Sequence, residues 1–492
     1  MKNLKKLTLL HSNDMHGDFL AEQVDEKLVG GVSMLSGYIS KVRQEEENVL
    51  YAIAGDMFRG SIIDSEFKGI STIHIMNMLA PDIATVGNHE VDYGVSHLLF
   101  LEKCAEFPII NANLHIKTNN ARLFEPCKVI NIGGMKILFI GILTEAVIKQ
   151  CKTDDLIGTF ITLEDAVEEI GRICDTYNAI DVDLTVLLTH IGFEEDCKLA
   201  EMLDPAWGVD VIVGGHSHTF LDEPAVVNGI PIVQAGTGTD QIGRFDMVIN
   251  TDDNCLDSYT WAAVPINDQT CPKDVALEQI INGLKNTTDE KYGRIITKFV
   301  RPLTHPSYII ETELGDLYTD LLKSAFGVDI FLLGSGSIRT ERLGPVVTKR
   351  DFDENYPYDG GVYLTYWTGA QFMHGIHRML RDEALAGGFT EFFQLSEGLE
   401  IEYDQSTHSF IKFDFLGKPI EEDKVYTVGV QHFHFMNLKE CFDLEMKDLA
   451  KNKPSRQIAT SCGKVLEEML QMGQHQDQKT EGRLVIHHVK ST

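Results

Sequence analysis

The sequence has little that is typical of a secreted or membrane-spanning protein. Its nine cysteines show no CxxC pair and no regular spacing, which argues against a disulfide framework or a zinc ribbon. The amino terminus begins with basic residues, but the apolar run before His11 is too short for a signal-peptide core. No stretch approaches the roughly 18 to 20 apolar residues of a membrane span. These absences predict a cytoplasmic protein that is soluble and has no membrane partner.

Basic residues are also scarce. The 43 lysines and arginines are outnumbered by 74 acidic residues, and the net charge of −31 would repel the phosphates of a nucleic acid polymer. A small anionic substrate is compatible with this charge if metal ions or a few arginines neutralise it locally. We therefore expect a small ligand and a metal, and no nucleic acid partner.

The length and the order of apolar segments predict two domains. The chain has 492 residues, 43% of them hydrophobic, and a single core stops growing at about 250 to 300 residues. Short apolar runs alternate with helix-period segments through the first half, which is typical of an α/β sandwich. A polar stretch over 265–307 contains prolines and one probable helix, which indicates a linker. We predict a first domain over 1–264 and a second α/β domain over 308–492.

Polar side chains suited to metal binding follow five of the predicted buried strands. They are Asp14 and His16 after 7–10, Asp56 after 49–55, Asn88 and His89 after 83–87, His190 at the end of 184–190, and His216 and His218 after 209–215. One Asp or Asn after a strand is ordinarily a turn former or a helix cap. Five coincidences, with glycines that allow close backbone approach, indicate a shared site instead.

The ligand types in this set restrict the metal. Carboxylate, amide and imidazole ligands without a thiolate suit Mn²⁺ or Zn²⁺, followed by Co²⁺, Fe²⁺ or Mg²⁺, and disfavour a structural zinc site. Two cations about 3.5 to 4 Å apart, bridged by one carboxylate, can clamp a phosphoryl group and lower the pKa of a bound water. Asp56 is the natural bridging carboxylate. The pattern predicts a two-metal phosphoesterase.

Five motifs carry a resemblance to a known family. The segments HSNDMHGDF, GDMFRGS, GNHEVD, THIG and GGHSH resemble the successive motifs of the calcineurin-like metallophosphatases, in particular of the bacterial 5′-nucleotidase family. The resemblance implies an α/β (α+β) fold, with a four-layer αββα sandwich followed by a smaller α/β substrate-binding domain. It implies one metal held by Asp14, His16, Asp56 and His218, and another held by Asp56, Asn88, His190 and His216. It also implies that His89 and Asp92 form a dyad that stabilises charge on the transferring phosphoryl group.

The resemblance continues, more weakly, through the second domain. The segments ETELGDLYTDLL, GSGSIRT, YPYDGG and YTVGVQHF resemble the carboxy-terminal domain of 5′-nucleotidases. This implies that Arg339 meets the phosphate and that Tyr358 and Phe433 sandwich a base. Three departures remove polar contacts to ribose and phosphate: Gly334 replaces an Asn, the arginine expected before ETELG is absent, and HFMNLKE replaces the GGDG segment.

The function implied first is hydrolysis of a nucleoside 5′-monophosphate, or a related nucleotide, to nucleoside and phosphate. A metal-bound hydroxide would attack in line and His89 would assist. Other substrates that the same two-metal site could hydrolyse are a 2′,3′-cyclic nucleotide, a nucleotide sugar or a non-nucleotide phosphoester. A non-catalytic ligand-binding protein is the alternative of another class, and the intact ligand set with the His89 and Asp92 pair argues against it.

Overall fold

In the computed structural model the chain divides into two compact units. The structure describes residues 2–116, 119, 121–143, 162–177, 180–385, 392–473 and 476–487. Unit 1 comprises Met1–Thr288 and unit 2 comprises Asp289–Thr492. The division falls within the helix Val275–Tyr292, inside the segment predicted as a linker. Cys151 lies outside the described residues, and the other eight cysteines form no disulfide among the residues that the structure describes. Within the described part of the chain, no helix is long and apolar enough to span a membrane.

Unit 1 contains strands and helices in alternation. Its strands are β1 (Leu4–Ser12), β2 (Glu22–Val24), β3 (Lys27–Val29), β4 (Val49–Ala54), β5 (Ile83–Thr85), β6 (Ile109–Ile110), β7 (Cys127–Ile132), β8 (Met135–Leu143), β9 (Leu184–His190), β10 (Val211–Val213), β11 (Ala225–Val227), β12 (Ile230–Val233), β13 (Gln241–Asn250) and β14 (Cys255–Pro265). Its α-helices are Val32–Glu45, Ile62–Glu66, Ile70–Leu79, Val95–Cys104, Leu163–Tyr177, Phe193–Met202 and Val275–Tyr292.

The strands form two main six-stranded sheets, and β2 and β3 pair separately. The first sheet has the order β14-β13-β1-β4-β5-β6 and the second has the order β11-β12-β10-β9-β8-β7. Strands β1, β4, β5 and β6 are parallel to one another, as are β8, β9, β10 and β12. The apolar runs of the sequence supply these parallel strands because both of their faces are buried.

The alternation of side chains along β4 explains the four layers. Leu50, Ala52 and Ala54 belong to an apolar cluster that they share with Val186 and Leu188 of the second sheet. The intervening residues of β4 belong to another cluster, which includes the helices Val32–Glu45, Ile70–Leu79 and Val95–Cys104. The helices Leu163–Tyr177 and Phe193–Met202 cover the outer face of the second sheet. Unit 1 is therefore an αββα sandwich, as the resemblance to the metallophosphatases implies.

Unit 2 has its own sheets and apolar clusters. Its strands are β15 (Ile295–Lys298), β16 (Leu303–Thr304), β17 (Ile330–Gly334), β18 (Arg342–Leu343), β19 (Val346–Thr348), β20 (Val362–Thr368), β21 (Phe393–Leu395), β22 (Leu399–Asp404), β23 (Ser409–Phe415), β24 (Lys418–Pro419), β25 (Val425–Gln431), β26 (Arg456–Ala459) and β27 (Leu484–His487). Its α-helices are Glu313–Phe326, Lys349–Asn355, Gly369–Met379, Asp382–Leu385, His432–Met436, Leu438–Phe442, Met446–Asn452 and Cys462–Met472.

A five-stranded sheet with the order β21-β17-β25-β20-β26 lies at the centre of unit 2. Val362 and Leu364 of β20 pack with the helices Glu313–Phe326 and Cys462–Met472 on one face. Trp367 packs with the helix Gly369–Met379 on the other face. A four-stranded sheet, β24-β23-β22-β27, and two short pairs, β15-β19 and β16-β18, complete the unit. This α/β domain agrees with the class expected from the sequence.

Candidate metal centre and active site

Most of the predicted metal ligands have a strained backbone conformation. Five of them have a positive φ: Asp14 (51°), His16 (49°), Asp56 (54°), His216 (79°) and His218 (53°). Each such non-glycine residue costs on the order of 1 to 3 kcal/mol and persists only where its surroundings hold it. Hydrogen bonds between the loops provide this support, since the backbone N–H of Asp14 donates to Gly55 O at 3.1 Å and that of His16 donates to Asp56 O at 3.0 Å.

Glycines allow these loops to approach one another. A Cβ on Gly55 would lie 2.6 Å from His190 Nδ1, and a Cβ on Gly87 would lie 2.3 Å from Asp56 Oδ1. Any side chain at either position would displace a ligand residue. This is the close backbone approach that the sequence predicts for both glycines.

One group of ligand atoms comes from the loops after β1 and β10. Asp14 Oδ1 lies 3.6 Å from His218 Nε2 and 4.0 Å from His16 Nε2. The two imidazole Nε2 atoms are 3.0 Å apart. All three ligand atoms therefore lie within the reach of a single metal ion.

A second group comes from β9 and from the loops after β4, β5 and β10. Asp56 Oδ2 lies 3.1 Å from His190 Nε2. Asn88 Oδ1 lies 3.2 Å from His190 Nε2 and 2.9 Å from His216 Nδ1. The ligand atoms of Asp56, His190 and His216 also lie within the reach of one ion.

Asp56 contacts both groups. Its Oδ2 lies 4.0 Å from His16 Nε2 as well as 3.1 Å from His190 Nε2, and its Oδ1 accepts a hydrogen bond from the backbone N–H of His89 at 2.9 Å. The structure thus brings all seven predicted ligands together. The bridging position of Asp56 is consistent with the role predicted for it.

Contacts outside the ligand set orient the ligand atoms. His190 Nδ1 lies 2.8 Å from Ala54 O, which leaves Nε2 directed at Asp56. The backbone N–H of His216 donates to both carboxylate oxygens of Asp14 at 3.0 Å, and Asn13 Nδ2 donates to one of them at 2.7 Å. The Asp14 carboxylate is consequently held in one orientation.

The electrostatics of the site favour a cation. Burial lowers the pKa of His190, but the carboxylates of Asp56 and Asp14 outweigh this effect and raise the pKa to about 10. Burial raises the pKa of Asp56, but the charge and hydrogen bond of His190 lower it well below its usual range. Positive charge is therefore stabilised between buried carboxylates. A donor set of carboxylates, imidazoles and an amide oxygen, without thiolates, fits divalent metal ions.

His89 and Asp92 form a hydrogen-bonded pair beside these ligands. His89 Nδ1 lies 2.7 Å from Asp92 Oδ2, and the hydrogen bond raises the pKa of His89 against the effect of burial. A ring nitrogen of His89 lies within 4.8 Å of ligand atoms of His16 and Asp56. The pair is therefore placed where an imidazolium can meet a group bound at the metals.

Three residues of the site were missed by the sequence analysis. The buried carboxylate of Glu90 accepts hydrogen bonds from the backbone N–H groups of Asp56 (3.0 Å), Met57 (2.7 Å) and Gly87 (2.6 Å). Burial, followed by the charge of Asp56, raises the pKa of Glu90 to about 7. The signal that could have identified Glu90 in the sequence is its position within the GNHEVD motif.

Arg59 and Gln234 are the other two. Arg59 Nε donates to Asp92 Oδ2 at 2.8 Å. Gln234 Oε1 accepts from Ser217 Oγ and from the backbone N–H of Thr219, both at 3.0 Å, and so holds the loop between the last two histidine ligands. Arg59 stands in the GDMFRGS motif, whereas no local pattern marks Gln234.

Unit 2 carries the predicted substrate-binding residues on neighbouring segments. The guanidinium carbon of Arg339 lies 5.5 Å from the ring centroid of Tyr358. Tyr358 and Phe433 are 48% and 60% exposed, so neither ring is a core residue. The backbone N–H of His432 donates to Gly361 O at 2.7 Å and joins the two segments that carry the rings. The segment that replaces GGDG forms two short helices, His432–Met436 and Leu438–Phe442.

Comparison with known families identifies the class to which this fold and site belong. Residues 7–220 match the family model for calcineurin-like phosphoesterases, so unit 1 contains a domain of this class and the chain is a metal-dependent phosphoesterase. Residues 288–444 match the model for the C-terminal domain of 5′-nucleotidases. The chain therefore combines a calcineurin-like phosphoesterase domain with a 5′-nucleotidase C-terminal domain, the two domains that its motifs indicated.

Relatives align with most of the chain. Snake venom 5′-nucleotidase from Naja atra is 28% identical over 452 residues, which cover 82% of each chain. The 5′-nucleotidase of Mus musculus is 27% identical over 527 residues, which cover 94% of this chain and 88% of the mouse protein. The crystal structure of a 5′-nucleotidase precursor from Thermus thermophilus superimposes with a TM-score of 0.59 and 23% identity, over 98% of this chain and 99% of the other. This structural likeness supports the assignment of the fold.

Proposed function

We propose that this enzyme hydrolyses nucleotide phosphomonoesters, foremost nucleoside 5′-monophosphates, to nucleoside and inorganic phosphate. The observation that carries the proposal is the convergence of seven ligand residues beside the His89 and Asp92 pair in unit 1. The presence of a 5′-nucleotidase C-terminal domain supports a nucleotide as the substrate. Relatives named 5′-nucleotidases align over most of the chain and support the same reaction.

We assign two divalent cations, Mn²⁺ or Zn²⁺, to the ligand set. One would be held by Asp14, His16, Asp56 and His218, and the other by Asp56, Asn88, His190 and His216. When bound, these cations polarise the phosphoryl oxygens and lower the pKa of water. The donor chemistry supports this choice because imidazole and carboxylate ligands suit both metals.

The protein's own groups have distinct tasks in this reaction. His89 would place its imidazolium against the phosphoryl oxygens or the leaving oxygen and stabilise the charge that develops there. Asp92 orients the ring of His89 through Nδ1, which leaves Nε2 for the substrate. Glu90 holds the backbone of Asp56 and Gly87, and so keeps the carboxylate of Asp56 in position.

Arg339, Tyr358 and Phe433 would bind the substrate. A guanidinium can grip a phosphate with two parallel hydrogen bonds. Two exposed rings on joined segments are suited to stack on a base, which contributes roughly 1 to 3 kcal/mol per base. The contact between Arg339 and the ring of Tyr358 supports a common role for both residues.

A second candidate function has the same metal-dependent chemistry but a different substrate. The family's GGDG segment is replaced by a pair of short helices, and this favours a pocket with different polar contacts. A nucleotide sugar, a 2′,3′-cyclic nucleotide or a non-nucleotide phosphoester would then be the preferred substrate. These substrates differ from a 5′-monophosphate in the bond that is cleaved or in the group attached to the phosphate.

The first experiment measures phosphate release from mononucleotides, cyclic nucleotides, nucleotide sugars and sugar phosphates with added Mn²⁺. For the proposed function, nucleoside 5′-monophosphates should have the highest kcat/KM. Tyr358→Ala and Phe433→Ala should raise KM for a mononucleotide by roughly 5- to 150-fold and leave p-nitrophenyl phosphate hydrolysis unchanged. Arg339→Ala should weaken both substrates.

Tyr308→Ala is the matched control, because Tyr308 is an exposed ring of unit 2, at 46%, outside the proposed stacking pair. It should leave KM for both substrates unchanged. Equal losses on nucleotide and aryl phosphate in the ring variants would refute base stacking. A non-nucleotide phosphoester would then replace the nucleotide as the proposed substrate.

We also propose a cytoplasmic location. Buried thiols such as those of Cys174 and Cys462 support this proposal, because they are compatible with a reducing compartment. Burial raises the pKa of both thiols to about 12, so they are poorly reactive. Fractionation of native cells with an antibody against the chain would test the location.

A further inference from the structure

Arg59 contacts the His89 and Asp92 pair through a single carboxylate oxygen. Its Nε donates to Asp92 Oδ2 at 2.8 Å, and the same oxygen lies 2.7 Å from His89 Nδ1. The Arg59 side chain is 47% exposed, whereas that of Asp92 is 15% exposed. Among the described residues, none accepts a hydrogen bond from Arg59 Nη1 or Nη2. Within the described part of the chain, the guanidinium therefore has one hydrogen-bond acceptor, and this acceptor is the partner of His89.

The backbone of Arg59 is held in a strained conformation. Its φ is 67°, which places it among the non-glycine residues with a positive φ, together with five of the predicted metal ligands. Its backbone N–H donates to Asp64 Oδ2 at 3.0 Å, and Tyr93 Oη donates to the same oxygen at 2.6 Å. The guanidinium carbon lies 5.4 Å from the Tyr93 ring centroid. Both ends of Arg59 are thus supported by the same small network.

The loop of Arg59 also packs directly against a ligand loop. A Cβ on Gly60 would lie 2.3 Å from His16 O, so only glycine permits this approach. The ring centroids of His16 and His89 are 5.3 Å apart. Arg59 therefore approaches the active site from the side of His89 and His16.

We propose that Arg59 is a positioning residue that fixes the Asp92 carboxylate and, through it, the ring of His89. This inference rests on the role proposed above for His89 and Asp92 in phosphoester hydrolysis. With both donors present, Asp92 Oδ2 has one favourable position. Without the guanidinium, the carboxylate would have a single side-chain donor and could rotate with the imidazole, so that His89 would spend less time in its productive orientation.

An ordinary surface ion pair makes a different prediction. Exposed pairs contribute about 0 to 1 kcal/mol to stability and have no reason to affect turnover. Arg43 offers a partly exposed ion pair of unit 1 that involves none of the predicted ligands or the dyad, because its Nη2 donates to Asp82 Oδ2 at 2.8 Å and to Ala80 O at 2.9 Å. Arg43→Ala is therefore the matched control for Arg59→Ala.

The test measures kcat, KM and metal content with Mn²⁺ and with p-nitrophenyl phosphate as well as a mononucleotide. Arg59→Ala should lower kcat by about 10- to 100-fold, the usual effect of losing a group that orients a functional residue, with KM and metal content little changed. Arg59→Lys should recover part of the loss, and guanidinium ions in solution should recover part of it in Arg59→Ala. Arg43→Ala should retain wild-type kcat.

A double-mutant cycle distinguishes positioning from general damage. If Arg59 acts through Asp92, Arg59→Ala should have little further effect on kcat in an Asp92→Asn background. Arg59→Gly, which suits the positive φ, should show the same loss of kcat without loss of thermal stability. Crystal structures of the wild type and Arg59→Ala should show a displaced Asp92 carboxylate or a rotated His89 ring in the variant.

Three results would overturn the proposal: equal kcat for the Arg59 and Arg43 variants, additive losses in the Asp92→Asn background, or unchanged geometry of the His89 and Asp92 pair. Failure of the proposed substrate is a separate outcome. In that case the wild type would hydrolyse the aryl phosphate but no nucleotide, and the Arg59 comparison would still be made with the aryl phosphate. The crystal structures test the inference independently of turnover.

Discussion

Glu90 supports the loop of Asp56, and its replacement should weaken both the fold and the metal site. Its Oε2 accepts hydrogen bonds from the backbone N–H groups of Asp56 and Gly87, and its Oε1 accepts one from Met57. Glu90→Gln keeps the shape of the side chain. However, the amide NH₂ must replace one oxygen, and it would then face a backbone N–H that needs an acceptor.

At a pH above the Glu90 pKa of about 7, where the side chain is an ionised carboxylate, the expected cost of the substitution follows from these three hydrogen bonds. A hydrogen bond to a charged group contributes about 1.5 to 3 kcal/mol, and a neutral one about 0.5 to 1.5 kcal/mol. If the amide oxygen of the variant side chain takes the place of Oε2, one charge-assisted bond is lost and two become neutral. The total is about 3.5 to 6 kcal/mol, which should lower the Tm by roughly 7 to 12 °C in a domain of this size.

The assay combines thermal unfolding with titration of Mn²⁺ into the apoprotein. Glu90→Gln should lower the Tm and also weaken metal affinity by about 10- to 100-fold, because the backbone of Asp56 loses its support. Glu169→Gln is the control, since the buried Glu169 is only 6% exposed and accepts hydrogen bonds from Arg122 and Arg172. It should lower the Tm alone. Wild-type metal affinity in folded Glu90→Gln would refute the supporting role.

Three further predictions concern the bridging carboxylate, the dyad and unit 2. Asp56→Asn should lower metal occupancy and reduce kcat/KM by about 10²- to 10³-fold, because several kcal/mol of charge stabilisation depend on the metals. Elemental analysis and kinetics test this, and two tightly bound metals with normal turnover would contradict it. His89→Asn should retain both metals while kcat falls by roughly 10² to 10⁴, and a loss of metal instead would make His89 a ligand. In unit 2, burial raises the pKa of Asp316 to about 9 although Arg483 lowers it, so the folded state keeps a proton that the unfolded chain loses above about pH 4. Stability should therefore fall as pH rises from about 4 towards 9, and Asp316→Asn should reduce this slope in denaturant titrations at several pH values; identical slopes would contradict the assignment.

Arg483 explains why Asp316 can stay protonated. Its guanidinium donates to both oxygens of Asp320 at 2.7 Å and to Glu481 Oε2 at 2.9 Å. One cation already has two acidic partners, so a third buried carboxylate gains less from ionisation than burial costs. The surplus of acidic residues seen in the composition thus has a local counterpart in unit 2.

Much of the fold could be predicted because its signals are local. The run over 49–55 and the amphipathic segment LEDAVEEIGRICDTY correspond to β4 and to the helix Leu163–Tyr177. A strand buried on both faces needs a continuous apolar run, and a surface helix needs a 3.6-residue period. The apolar segment FPIINANL at 107–114 is long enough for a full strand, yet only Ile109–Ile110 forms one. Apolar content alone does not decide where strand pairing ends.

The sequence by itself determined which chemical groups follow the strands, and therefore the class of metal and the family. It did not determine how the groups meet. His190 lies against Ala54 because two sheets pack face to face and join segments that are far apart in the chain. Gln234 holds the loop of Ser217 because β12 pairs with β10 within the second sheet. Such contacts depend on packing across the whole unit, whereas periodicity and turn chemistry depend on neighbours in sequence. For the same reason only the tertiary structure revealed that Glu90 supports Asp56 and that Arg59 shares the Asp92 carboxylate with His89.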